Sequence, residues 1–199
     1  MTIVGALKPE PDSRRGKLLE AALAVFLRFG FRKTSMDEVA RAAHMSRQGL
    51  YLHFKTKEEL FQATVAYLLR DAQEAAERSL GDASRPLEQR LLGAFDAVVG
   101  RFVGMFGADT EDLAQAGSLL VGDMIAEHEA AFAEAVARTL RGSGLLGAYR
   151  AAGLNARQLA DTLYATARGL KYGCTTRAEF LERMGVAVRA LCAPLGGAP

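Results

Sequence analysis

Four paired positions constrain this chain most. Ser35 and Glu38, Thr56 and Glu59, Asn155 and Gln158, and Thr176 and Glu179 each set a short side-chain acceptor three residues ahead of a carboxylate or carboxamide. That spacing satisfies two orphan N–H groups at the start of a helix, one in each direction. Apolar residues at helical spacing follow these boxes, as in Leu60, Thr64, Tyr67 and Leu68. Nowhere does a two-residue alternation of β-branched residues persist. The chain therefore reads as all-α, with about nine helices and no internal repeat.

The first helix is expected from Ser13 to Phe29, with Leu18, Leu19, Ala22, Phe26 and Phe29 on one stripe. Gly30 stands where a left-handed C′ residue is needed, and Phe31 can fold back on the helix. The second helix opens at the Ser35 box, with Val39, Ala40 and Ala43 facing inward. His44 and Met45 occupy a turn, and Ser46 can cap a third helix over 46–53. That helix is too short to stand alone in water, so Leu50 and Phe54 must hold it against the first. A long fourth helix runs from Thr56 to about Ser79, and 81–86 is a loop. The fifth carries Leu91, Leu92, Phe95, Val98, Val99, Phe102 and Phe106 inward and ends at Gly107. Asp109 or Thr110 caps a sixth helix ending near Gly122. A seventh starts near Met124 and is broken at 141–144, and a short helical piece resumes through Tyr149. The eighth runs to about Tyr172 and the ninth to about Ala193. The chain thus divides into a flexible arm over 1–12, a three-helix unit over 13–56 and a larger helical unit over 57–199.

Charge divides the same way. Residues 13–57 carry ten Lys or Arg against three acids, and residues 58–199 carry fourteen basic against eighteen acidic groups. A balance of +7 over 13–57 and −4 over 58–199 suits a polyanion at one end and another partner elsewhere. Cys174 and Cys192 form no CxxC pair, which fits a reducing compartment, two core-facing thiols and no metal site. No segment reads as a signal peptide or approaches the roughly 20 apolar residues that span a bilayer. A cytoplasmic protein without membrane contact is expected. No catalytic constellation, phosphate-cradling glycine loop or metal-ligand cluster is legible, so neither enzyme activity nor a cofactor is expected.

The chemistry concentrates in residues 35–57. A second short helix following a tight turn can enter a DNA major groove, with its N-terminal residues at the base edges. Those residues here are Ser46, Arg47, Gln48 and Gly49. Arg47 can pair bidentately with guanine and Gln48 with adenine. Gly49 costs about 1 kcal/mol against alanine in mid-helix, which a close backbone approach to DNA would justify. Tyr51, His53 and Lys57 can flank this helix towards phosphates. Lys57 opposes the macrodipole in the first turn of its own helix, and a phosphate there would explain it. Arg14, Arg15 and Lys17 form a second basic cluster near the arm, suited to backbone or minor-groove contact.

Thr34 to Leu60, with the preceding Ala21, Phe26, Phe29, Gly30 and Phe31, resembles the signature of the TetR family of bacterial transcriptional regulators. The resemblance covers about residues 13–62. It implies a homodimer, usually a repressor, released when a small ligand binds the C-terminal helices. It further implies that Arg47, Gln48 and Gly49 face bases, with Thr34, Tyr51, His53 and Lys57 at the phosphate side; Ser35 is a further candidate DNA contact. His44 departs from the pattern, since the family commonly has glycine there, but histidine tolerates left-handed φ better than most residues.

Residues 63–199 carry no motif of comparable specificity. Phe95, Phe102, Met105, Phe106, Leu119, Met124, Phe132 and Tyr164 are large apolar groups that line a pocket or fill a core. A pocket so lined would take a small, largely apolar effector, anchored by one or two of Arg101, His128, Tyr164 and Arg168. Small residues Ala160, Ala165, Ala167 and Gly169, with a stripe of Phe180, Leu181, Met184, Val188 and Leu191, suit the last two helices to a two-fold four-helix interface, while in a monomer the stripe could pack on its own body. The alternative is a DNA-binding protein of the same fold with no small-molecule effector, in an architectural or protein-partner role.

Overall fold

The computed structural model describes residues 14–104 and 110–196. Among them are nine α-helices and no strand: α1 (Arg14–Lys33), α2 (Met36–Ala42), α3 (Arg47–His53), α4 (Lys57–Gly81), α5 (Leu87–Val98), α6 (Thr110–Gly142), α7 (Leu146–Tyr149), α8 (Ala156–Gly173) and α9 (Arg177–Gly196). The arm over 1–12, the caps at Ser13 and Asp109, the Thr110 side chain and the stop at Gly107 lie outside the described residues. So do Met105 and Phe106.

The boxes act where the sequence places them. Ser35 and Asn155 each accept from the third residue of their helix while Glu38 and Gln158 return to the cap backbone. Thr56 and Thr176 also accept, from Glu59 N–H at 3.1 Å and Glu179 N–H at 3.2 Å. Their carboxylates reach one residue further back, to the N–H of Lys55 and of Thr175.

Two breaks differ from expectation. Gly122 does not end a helix: α6 runs continuously from Thr110 to Gly142. A helical glycine costs about 1 kcal/mol, which the flanking turns of a long helix absorb. Conversely α5 stops at Val98 and passes into a 3₁₀ turn at Gly100–Phe102. There the Phe180 ring lies where a Cβ on Gly100 would come within 2.8 Å, so this glycine admits the ring.

The described residues divide into two units, 14–68 with 110–122, and 69–104 with 123–196. The first unit therefore extends past Thr56 into α4 and takes in the start of α6. Its core joins Leu18, Leu19, Phe26, Val39, Leu50 and Leu60, all at most 3% exposed. Phe26, Phe31 and Phe61 close on one another with centroids 5.1–6.1 Å apart, fixing the end of α1 on the start of α4. The second unit packs α5 and α8 against α9 around Phe95, Phe132, Phe180 and Met184, none of them exposed. No helix among the described residues is long and apolar enough to cross a membrane.

Candidate nucleic-acid interface

The turn between α2 and α3 depends on one residue. His44 has φ 53°, in the left-handed region, and directs the Met45 N–H to the Ala40 carbonyl at 2.9 Å. Ser46 then caps α3, its Oγ accepting from the Gly49 N–H at 3.0 Å. Leu50 is fully buried, worth about 1.5–3 kcal/mol, and anchors a helix that could not persist alone. Phe54 is buried behind it, with the Arg15 guanidinium of α1 over its ring at 5.5 Å. Held this way, α3 turns Arg47, Gln48 and His53 outward, all exposed, with Gly49 and Tyr51 half-buried beside them.

Arg47 is positioned from two sides. Its Nη1 donates to Asp37 Oδ2 of α2 at 3.0 Å, and its guanidinium lies over the Tyr51 ring at 5.6 Å. Asp37 Oδ1 is buried without a hydrogen-bond partner. Nothing local in the sequence ties Asp37 to a residue ten positions on, which is why the pattern did not single it out. The pair is half exposed and worth at most about 1 kcal/mol in stability, so its consequence is aim rather than strength.

Three of the expected DNA contacts have structural duties. Thr34 is buried, and its hydroxyl donates to the Gly30 carbonyl at 2.6 Å, so that hydroxyl is turned away from any ligand. Ser35 is exposed, but its Oγ accepts from the Glu38 N–H in the α2 cap, and its hydroxyl and backbone N–H both donate to Glu38 Oε2, which holds the Glu38 carboxyl below the usual carboxylate range. Lys57 reaches the C-terminal end of α1: Nζ donates to the carbonyls of Phe31 at 2.8 Å and Arg32 at 3.1 Å and lies over the Phe31 ring. A cation there completes one helix's C-terminus, which accounts for its cost at the start of another. Arg14 and Arg15 stand exposed on the first turn of α1. Asp112 of α6 was legible in no motif. It accepts from the Arg32 N–H at 2.9 Å and Nε at 2.7 Å, and these bonds pull its carboxyl below the usual range.

The geometry is that of a helix-turn-helix with its second helix presented outward. The sequence profile described as "Bacterial regulatory proteins, tetR family" matches residues 18–64, the same elements. Residues 18–64 are therefore similar to the regulatory domain of the TetR family. YhgD of Bacillus subtilis, an HTH-type transcriptional regulator, is 34% identical over 86 residues, 43% of this chain and 44% of that protein. The HTH-type transcriptional repressor KstR2 of Mycobacterium tuberculosis is 37% identical over 43% of this chain and 42% of its own. The chain thus matches under half the length of these curated relatives. The fold extends further: Salmonella enterica GusR superposes with a TM-score of 0.65 over 96% of this chain and 98% of its own, at 22% identity.

The C-terminal candidates divide between the core of the second unit and the surface. Phe95 and Phe132 are fully buried in edge contact at 5.2 Å, with the Tyr164 ring 5.8 Å from Phe132. Phe102 packs against the same core. Arg101 is paired with Asp71 at 2.6 Å. Leu119 belongs to the N-terminal unit and is 78% exposed. Met124 and His128 are half-buried on α6, and His128 Nε2 is buried without a partner. Burial raises the Tyr164 hydroxyl pKa, reinforced by the charge and hydrogen bond of Glu129. Arg168, exposed, approaches the same Glu129 at 3.8 Å. A cleft of about 410 Å³ lies elsewhere in this unit, lined by polar Glu77, Arg90, Arg138 and Thr139 among others, and by none of the candidates.

The apolar stripe of α9 is spent inside the protomer. Phe180, Met184, Val188 and Leu191 are at most 9% exposed, as are Ala160 and Ala167 of α8. They lie where α9 packs against α5 and α8. Ala165, Gly169 and Tyr172 on α8, with Val186 and Ala190 on α9, remain exposed. Both cysteines are buried, and burial pushes the Cys192 thiol up to about 11, so neither presents a reactive thiolate.

Proposed function

We propose that this protein is a DNA-binding transcriptional regulator that reads a palindromic operator as a homodimer and acts as a repressor. One observation carries the reading: α3 holds Arg47 and Gln48 outward, with Arg47 aimed by Asp37 and Tyr51. Arg47 contacts a guanine and Gln48 an adenine, while Gly49 lets the helix backbone approach. Tyr51, His53, Arg14 and Arg15 meet phosphates, and Ser46 stays at the helix cap. Ser35 and Thr34 contribute through the backbone geometry they hold, and Lys57 through the α1 terminus it completes. One α3 reads few base pairs. Two, held about 34 Å apart in a dimer joined through the faces of α8 and α9 that stay exposed, read a palindrome.

The test is a duplex selected from random sequence and titrated by gel shift over a range of salt. Arg47→Ala should cost about 1–3 kcal/mol and relax preference at one base pair. Binding without sequence preference would remove the regulator reading.

We place a small, largely apolar effector against Phe102, Met124, His128, Phe132, Tyr164 and Arg168 in the C-terminal unit. His128 Nε2 and the Tyr164 hydroxyl are its polar anchors. The effector acts only through unequal affinity for two states, one of which opens the Phe95–Phe132–Tyr164 contact. α4 and α6 each run unbroken from one unit into the other and offer the route. The fully buried Phe95 and Phe132 favour the second reading, a regulator of the same fold with no small-molecule effector. Screening apolar compounds for release of the selected duplex separates the two.

A further inference from the structure

Leu52 is 75% exposed on α3, between half-buried Tyr51 and exposed His53. With about 100° per residue, Gln48 and Leu52 each lie about 160° round the helix from Leu50. Leu50 is fully buried, so Gln48 and Leu52 flank the line pointing straight away from the protein. A single exposed leucine on an ordinary surface needs no explanation. This one stands beside Gln48 on the face that would lie against the floor of the groove.

We infer that Leu52 is a specificity-determining residue that reads the C5-methyl group of a thymine. The inference rests on the proposed DNA-reading function. The major-groove edges of adenine, guanine and cytosine present hydrogen-bonding groups, and thymine alone adds a methyl. Leucine set against a polar edge would strip water from donors or acceptors without replacing it, so the side chain favours the methyl and penalises the other bases. Gln48 and Leu52 are four residues apart, about 6 Å along the helix axis, against about 3.4 Å per base step. The thymine therefore lies about two base pairs from the adenine read by Gln48.

Replacing each thymine of the selected duplex by deoxyuridine, one at a time, removes a methyl and nothing else. Wild type should lose affinity at one position per half-site by about fourfold, the value of one buried methyl-sized group. Leu52→Ala should bind the thymine and uracil duplexes at that position equally. Its exposed position leaves the core intact, which an unchanged melting curve verifies. Should Leu52→Ala weaken both duplexes while still distinguishing thymine from uracil as wild type does, Leu52 packs on the sugar-phosphate backbone and the assignment is wrong. The assignment also falls if wild type is indifferent to every thymine or selects a site without one, although DNA reading survives. Failure of wild type to select any duplex removes both.

Discussion

At residue scale, His44 and His128 each occupy a position that costs stability. His44 sits at φ 53°, a region that costs an L-residue about 1–2 kcal/mol and glycine almost nothing. His44→Gly should raise unfolding stability by about 1 kcal/mol in a urea titration, less glycine's greater freedom in the unfolded chain. His44→Val should lower it, because a β-branched side chain resists that backbone. His128 is half-buried, its Nε2 has no partner, and burial lowers its pKa against the opposing pull of Glu129. A lowered folded-state pKa means the unfolded chain takes up the proton first as pH falls. Stability from the neutral ring is therefore complete above about pH 6.5 and declines as pH drops through the lowered value. Melting temperatures measured between pH 8 and 5 should fall in that window for wild type, and His128→Gln should remove part of the fall. An unchanged pH profile in the variant would show that His128 is not the group responsible.

At element scale, what the sequence shows and what it hides follow from the range of each interaction. Capping boxes act over three residues, so Ser35, Thr56, Asn155 and Thr176 mark real helix starts and can be read from spacing alone. Leu50 and the outward polar residues of α3 are legible for the same reason. Gly122 misleads because a glycine's local cost says nothing of how long a helix surrounds it. The stripe of α9 leaves two readings open because periodicity fixes which residues share a face, not whether protomer or partner covers it, and here the protomer covers it. Asp37 and Asp112 escape because their partners lie ten and eighty positions away. The bend in α1 combines both ranges. Gly30 has φ 78° and ψ 174°, which glycine alone adopts readily, and a Cβ there would stand 2.6 Å from Asp112 Oδ2. Gly30→Ala should cost about 1–3 kcal/mol in backbone strain and displace Asp112 from the Arg32 N–H. Hydrogen exchange should report faster exchange at Arg32. Asp112→Ala should reproduce the exchange change without the backbone strain.

At the scale of the whole molecule, reading a palindrome requires two copies, and we propose that they meet on the exposed remainder of α8 and α9. Ala165 and Gly169 are one helical turn apart and let a second backbone come close, while Tyr172 at 81% exposure and Val186 at 56% supply apolar area. Gly169 separates folding from assembly. A Cβ there meets nothing within 4 Å in the protomer, so a side chain can be added without strain. Any residue other than proline favours a helix over glycine, so Gly169→Glu should leave the protomer as stable or raise it by a few tenths of a kcal/mol or more. In a close two-fold contact the same substitution buries two carboxylates against each other, which costs several kcal/mol. Light scattering should then give a folded monomer. Its affinity for the full palindrome should fall towards that for one half-site, while half-site affinity and preference at the Arg47 and Gln48 positions stay unchanged. A variant that remains dimeric would place the interface elsewhere, and loss of half-site binding as well would mean that α8 supports α3 within one protomer rather than joining two.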